Sequence, residues 1–327
     1  MTKTASLSTR LLAFLGGAPD DFTSLALEVF AFQFAHNAAY RAFCELKQHT
    51  PSTVTDWREI PAVPTRSFKD MPITCFPVAE AVAEFHTSGT TRALAGKHFF
   101  KTLALYDAGS VPWFNAHLFP DSARMPILSL VPETPHSSLA HMCRAVGGRY
   151  VERLEAVTEP VCVLGTAFHF LNLFDAGLEL RLPPGSRAME TGGFKGRSRE
   201  VSKPELYALF EEHLGIPATH VVNEYGMTEL STQFYDQTLR IGRQTDTKFT
   251  PPWARVLITD PTTGEELPAG KRGLIRVFDL ANLWSAMCVQ TEDWGVATGD
   301  GGFEVLGRAA SAEVRGCSLN AEALARV

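Results

Sequence analysis

Val221-Val-Asn-Glu-Tyr-Gly-Met-Thr-Glu-Leu230 is the stretch on which the reading of this chain turns. Two valines open it with β-branched residues that suit a strand, and Asn223-Glu224-Tyr225-Gly226 closes it with polar groups and a glycine. Thr228-Glu229 then begins a new element. Open α/β sheets place their ligand groups just past strand ends. Tyr225 can lie flat against an aromatic base, Thr228 can bond a phosphate oxygen, and Glu229 can hold Mg²⁺. A plain strand and turn, with a capping threonine and a solvated glutamate, would show the same letters. The surroundings have to decide.

Upstream, Pro126-Ile-Leu-Ser-Leu-Val131 and Pro160-Val-Cys-Val-Leu164 read as short buried strands, and Ala167–Gly177 and Pro204–Leu214 read as helices. That alternation predicts an α/β fold with sheets covered by helices. Apolar residues recur at helical spacing over residues 21–48, and a proline-punctuated stretch follows from Ile60 through Pro77, where regular helix is excluded. Downstream, Ala254–Asp260, a Pro-Thr-Thr-Gly turn and Gly273–Phe278 read as a β-rich subdomain, with Gly301–Gly307 as a further hairpin arm. With no repeat or long linker, the chain reads as one large domain over 1–308, helical over 1–60, and a short tail over 309–327.

Composition narrows the function classes. The 327 residues are 45% apolar and 20% charged, which excludes disorder for the bulk of the chain. Lys and Arg number 30 against 36 Asp and Glu, a net charge of −6, so the basic field of a nucleic-acid binder is absent. No run reaches the roughly 20 apolar residues that span a bilayer. The N-terminal basic residues and short apolar patch read as a first folded helix rather than a signal peptide. Six scattered cysteines, with no CxxC pair, fit reduced thiols in a cytoplasmic protein.

Two further segments carry chemistry. Phe85-His-Thr-Ser-Gly-Thr-Thr91 gathers Thr87, Ser88, Thr90 and Thr91 around Gly89, a turn rich in hydroxyl and amide donors that can wrap polyphosphate oxygens, with Lys97 as a nearby cation. It is not a Walker A loop. A surface Ser/Thr turn would have the same composition. Thr291-Glu-Asp-Trp-Gly295 and Leu306-Gly-Arg308 complete the set.

In order and spacing, these segments resemble the adenylate-forming superfamily of acyl- and aryl-CoA ligases, adenylation domains and luciferases. The resemblance covers most of residues 60–320. It implies a large N-terminal domain of layered α/β sheets plus a distorted β-barrel, with ATP and Mg as cofactors. Thr87, Ser88, Gly89, Thr90 and Thr91 would hold phosphates, and Asn223, Glu224, Tyr225 and Gly226 with Thr228 would form the nucleotide segment. Glu229 would hold the metal, and Arg308 would contact phosphate or ribose. Gly192 and Gly193, in Glu190-Thr-Gly-Gly-Phe-Lys-Gly196, match the glycines that admit the base, although a plain glycine-rich loop would look alike. Thr298-Gly-Asp300 spells the ribose motif literally, yet the family spacing to the arginine selects Asp293. His136 and His141 follow a strand where the superfamily often places a group beside the substrate carboxylate. His86 reads as a packing residue.

Departures are informative. Arg92 replaces a loop glycine, Ser311 stands where a hinge aspartate is expected, and the C-terminal lid with its lysine is expected to be truncated or absent. This pattern, with Ile60-Pro-Ala-Val-Pro-Thr-Arg-Ser-Phe-Lys69 and Val314-Arg-Gly-Cys-Ser-Leu319, most resembles the acyl-protein synthetase component of the bacterial luciferase fatty-acid reductase. Cys317 then matches the acylated cysteine, with Arg315 favouring its thiolate. A small packed cysteine in the tail is the plain alternative. The expected activity is ATP-dependent activation of a small carboxylic acid, with transfer to Cys317, an acyl-accepting protein, a carrier or CoA. A standalone CoA ligase and a nucleotide-binding protein without turnover are the competing readings.

Overall fold

Asp21 and Asn37 show how local chemistry sets the first elements of the fold, a computed structural model that describes residues 3–87, 95–192 and 201–309. After helix α1 (Lys3–Leu15), Asp21 caps α2 (Phe22–His36) by accepting from the Ser24 N–H at 2.7 Å. Asn37, in extended conformation, ends α2 and caps α3 (Ala38–Leu46), accepting from the Tyr40 N–H at 3.0 Å. The helical spacing over 21–48 is therefore two helices with a capped break. Strand β1 (Val63–Pro64) and the single turn α4 (Ser67–Asp70) follow, then the hairpin β2 (Ala83–His86) and β3 (Lys97–Phe100). Helix α5 (Ala104–Leu118) leads onward.

The described chain divides into two units. One takes the sequence up to Gly109, Met227–Thr232 and the part from Thr250 onward; the other takes Ser110–Gly226 and Gln233–Phe249.

The second unit is the α/β layer foreseen from the alternation. Strand β4 (Ile127–Ser129) is followed by α6 (Ser138–Ala145), β5 (Arg149–Tyr150), β6 (Cys162–Thr166), α7 (Ala167–Asp175), β7 (Arg187–Thr191), α8 (Lys203–Leu209) and β8 (Val221–Tyr225). Strands run in the order β5-β4-β6-β7-β8, all parallel, and β9 (Phe234–Asp236) and β10 (Lys248–Phe249) extend them antiparallel. The near-continuous apolar run Val161–Leu164 is what a parallel strand buried on both faces requires. Ser202 and Glu205 form a capping box for α8, with Pro204 in its first turn. Phe170, Phe174 and Phe210 close the core beneath the strands, Phe170 and Phe210 lying 4.5 Å apart between ring centres.

In the first unit, α9 being the short turn Thr238–Ile241 of the other unit, the remaining strands are β11 (Ala254–Thr259), β12 (Arg272–Asp279), β13 (Cys288–Ala297) and β14 (Phe303–Arg308). They form an antiparallel meander, and β1 pairs parallel with β13 through Val63↔Val289 and Pro64↔Gln290. Among the described residues the meander is open rather than a closed barrel, because β11 has β12 as its strand partner and no ladder returns to its outer edge. At Gly295 a Cβ would sit 2.6 Å from Ile275 Cγ1 and 2.9 Å from the Glu304 carbonyl, so glycine is what lets β12 and β14 close on β13 there. Trp57 ties the N-terminal helices to this meander, edge-on to both Phe22 and Phe278. No described helix is long and apolar enough to cross a membrane.

Candidate active site

The segment 221–230 is shared between the units: Val221–Gly226 belong to the second and Met227–Leu230 to the first. Each part is built differently.

In the first unit, Glu229 is only 7% exposed, and its burial pushes the carboxyl up to about 7; Asp293 adds to the rise while Arg308 and Lys69 oppose it. Its backbone and that of its neighbours are held by a chain of hydrogen bonds. The Glu229 carbonyl accepts from Asn282 Nδ2 at 2.9 Å, and Ser231 Oγ donates to Asn282 Oδ1. Asn282 also holds the Ala286 carbonyl at 3.1 Å. Gln33 of α2 donates to the carbonyls of Asn282 and Leu283, and accepts from the Met287 N–H at 3.0 Å. Thr228 hydroxyl donates to the His86 carbonyl at 3.2 Å, and His98 Nδ1 meets the Thr228 carbonyl at 2.8 Å. Burial lowers His98 to about 4, so it is a neutral ring whose Nδ1–H donates to that carbonyl.

Asp293 and Arg308 face each other in register on β13 and β14. The Asp293 N–H donates to Thr291 Oγ1 at 3.1 Å. Burial works against the Arg308 charge, but its hydrogen bond to Glu292 (3.0 Å) and the fields of Asp293 and Glu229 hold it above the ordinary guanidinium value. Asp300 sits elsewhere: it is exposed in the β13–β14 turn, accepting from Thr298 Oγ1 and the Gly302 N–H, which is the work of a turn residue.

Thr87 and Gly96 pair at the base of the hydroxyl-rich loop, Thr87 N–H to the Gly96 carbonyl at 2.9 Å and Gly96 N–H to Thr87 Oγ1 at 2.8 Å. Ser88, Gly89, Thr90, Thr91, Arg92, Gly193, Ser311, Arg315 and Cys317 lie outside the described residues. Lys97 is 2.8 Å from Glu84, which also bonds His86.

In the second unit, Asn223 and Glu224 of the expected nucleotide segment belong to a buried polar network whose other members sequence reading gave no role. Asn223 Nδ2 donates to Glu190 Oε1 at 2.6 Å, Tyr207 hydroxyl to the same oxygen at 3.0 Å, and Thr191 hydroxyl to Glu224. The Asn223 N–H donates to Asp236 Oδ2 at 2.8 Å, and Lys248 Nζ lies 3.8 Å from that oxygen. Burial raises Glu190 and Glu224, the latter to about 7, and lowers Lys248 to about 8. Gly226 follows so closely that a Cβ there would fall 2.3 Å from Glu224 Oε1, and Gly192 turns with φ 69°, a left-handed value that favours glycine. Tyr225 is half-buried beside Phe234, 6.2 Å between ring centres. His141 is buried on α6 with Arg144 on its Nδ1, and His136 is exposed before that helix. The missed signal was Arg187-Ala-Met-Glu-Thr191, where charged letters sit inside an apolar strand rhythm.

Removing one charge of a buried pair leaves the other unpaired. Asp236→Asn is expected to cost roughly 3–5 kcal/mol in denaturant unfolding, and the double change Asp236→Asn with Lys248→Met should recover most of it. Equal destabilisation in single and double variants would show that Lys248 does not depend on Asp236.

A family model described as LuxE, acyl-protein synthetase, matches residues 129–324, more than half of the chain. The chain belongs to this family. Solved structures agree on the fold. A 2-hydroxyisobutyryl-CoA ligase with 2-HIB-AMP and CoA is 14% identical, with a TM-score of 0.62 over 88% of this chain and 69% of that one. ATP-bound MatB from Rhodopseudomonas palustris is 15% identical, with a TM-score of 0.50 over 71% of this chain and 49% of that one. A luciferase-like enzyme from the mealworm Zophobas morio is 13% identical, with a TM-score of 0.51 over 72% and 59%. The chain thus spans about half the length of MatB. No match was found among curated proteins.

Proposed function

We propose that this acyl-protein synthetase family member activates a carboxylic acid as its acyl-adenylate and passes the acyl group to a thiol. The observation that carries the reading is Glu229: a buried carboxyl next to Asp293, with the cations Arg308 and Lys69 in its field.

A divalent cation fits this residue. Glu229 bonds its own backbone N–H, and no described side chain is bonded to its carboxylate, while a second carboxylate stands near enough to raise its pKa. That combination is costly alone and is relieved by a cation. Magnesium held by Glu229 would neutralise phosphate charge. The chain's own groups do the rest. Thr228 hydroxyl turns from the His86 carbonyl to a phosphate oxygen, Asp293 accepts from the ribose hydroxyls, and Arg308 faces phosphate. A carboxylate oxygen of the acid then attacks the α-phosphorus, the bond to pyrophosphate breaks, and acyl-AMP remains. Catalysis of this kind is positioning and charge neutralisation.

For the thiol, the described cysteines are poor nucleophiles. Cys44, Cys75, Cys143, Cys162 and Cys288 are buried, and burial pushes each up to about 12. Cys317 or an external thiol is the proposed acceptor. Carboxylate-dependent exchange of labelled pyrophosphate into ATP tests the activation step across a panel of acids. Exchange is expected with at least one acid. ATP binding with no exchange across the panel would support a nucleotide-binding protein instead, and acyl-CoA formed on adding CoA would make the acceptor CoA.

A further inference from the structure

The Ile60–Lys69 stretch singled out in the sequence ends on a lysine in the first unit. We propose that Lys69 supplies positive charge to the phosphate chain of the nucleotide, an assignment that rests on the activation reading given under Proposed function.

Placement comes first. β1 is fixed to β13, the strand that carries Asp293, and the Thr65 N–H continues the pairing by donating to the Gln290 carbonyl at 3.0 Å. The chain then turns through α4, where Phe68 is buried edge-on to His98, 5.7 Å between ring centres. His98 is the ring that holds the Thr228 carbonyl. Lys69 therefore follows directly on a residue packed against the ring that holds the Thr228 carbonyl.

Its stem runs along the base of the hydroxyl-rich loop. A Cβ added at Gly96 would meet Thr87 Cγ2 at 3.1 Å and Lys69 Cγ at 3.3 Å, so the lysine stem and Thr87 both crowd the space beside this glycine. A side chain at Gly96 would push one of them away. Lys69 is exposed and makes no ion pair among the described residues. The neighbouring cations are engaged: Lys97 with Glu84 at 2.8 Å and Arg308 with Glu292 at 3.0 Å. Lysine suits the task, since a mobile ammonium on an apolar stem follows a phosphate without demanding a fixed fork geometry.

Calorimetric titration of ATP and of adenosine into the wild type, Lys69→Met and Lys69→Arg separates charge from structure. Lys69→Met is expected to weaken ATP by about tenfold or more, the worth of one charge-assisted contact, while adenosine binds as before. Lys69→Arg should keep most of the ATP affinity. In pyrophosphate exchange, Lys69→Met should raise the KM for ATP. Unchanged ATP affinity in Lys69→Met, or equal losses for ATP and adenosine, would overturn the assignment while leaving the activation reading in place. A wild type that binds no ATP would overturn both.

Discussion

Glu229→Gln is expected to reduce carboxylate-dependent pyrophosphate exchange by about 100-fold or more, the scale of losing a principal charge-stabilising group. The substitution keeps shape and removes charge, so the fold should survive it. The sign of its pH effect follows from the raised carboxyl, about 7 in the folded chain against an ordinary glutamate value of 4.5. Between those values the folded state binds more protons than the unfolded one, so the Glu229 contribution to stability falls as pH rises from about 4.5 to about 7. Glutamine carries no such dependence. At pH 8 the variant should therefore be at least as stable as the wild type, by up to about 3 kcal/mol if burial acts in full. Magnesium titration adds a second readout: affinity in the wild type should rise with pH up to about 7, with proton release, and be lost in the variant. Wild-type exchange in Glu229→Gln would make the residue a packed capping group.

The second large effect concerns Cys317. Incubation with ATP, magnesium and an acid that supports exchange is expected to leave one acyl group on the protein. In that step the thiolate attacks the acyl carbonyl carbon, the C–S bond forms, and AMP leaves with the electrons of the broken C–O bond; the thiol proton passes to solvent. Hydroxylamine should remove the group, as it does thioesters, and Cys317→Ser should abolish the adduct while leaving exchange intact. Intact-protein mass spectrometry reads both. The five described thiols, pushed up to about 12, offer no competing site of comparable reactivity. Brisk exchange without an adduct would place the acceptor outside the chain.

Much of the fold was legible because burial leaves periodic traces. Val161–Leu164 read as a short buried strand and is one, and the turn at Asp300-Gly-Gly lies between β13 and β14 as its letters suggest. The break at Asn37 was not legible, since apolar spacing runs on through both helices and only the cap geometry divides them. The buried charges were missed for a different reason. Glu190, Asp236 and Lys248 look like surface residues one by one, and their pairing exists only through strand register. The Asp293–Arg308 alignment follows from the hairpin between them, which is local, so spacing could anticipate it. The Lys69–Thr87–Gly96 arrangement could not be anticipated, because it depends on β1 reaching a strand more than two hundred residues away.

Contacts of the N-terminal helices with the far end of the chain bear on how the protein is made. On the ribosome, Phe32 and Gln33 of α2, and Trp57 after it, are synthesised long before their partners Trp284, Asn282 and Phe278. The intervening Ser110–Gly226 forms most of a unit of its own and emerges whole first. The nascent chain therefore carries an apolar N-terminal segment waiting for its partner while the middle is already collapsing. Expression should be sensitive to translation speed and to chaperone supply, and a tag or fusion that shields the first forty residues should raise the soluble yield.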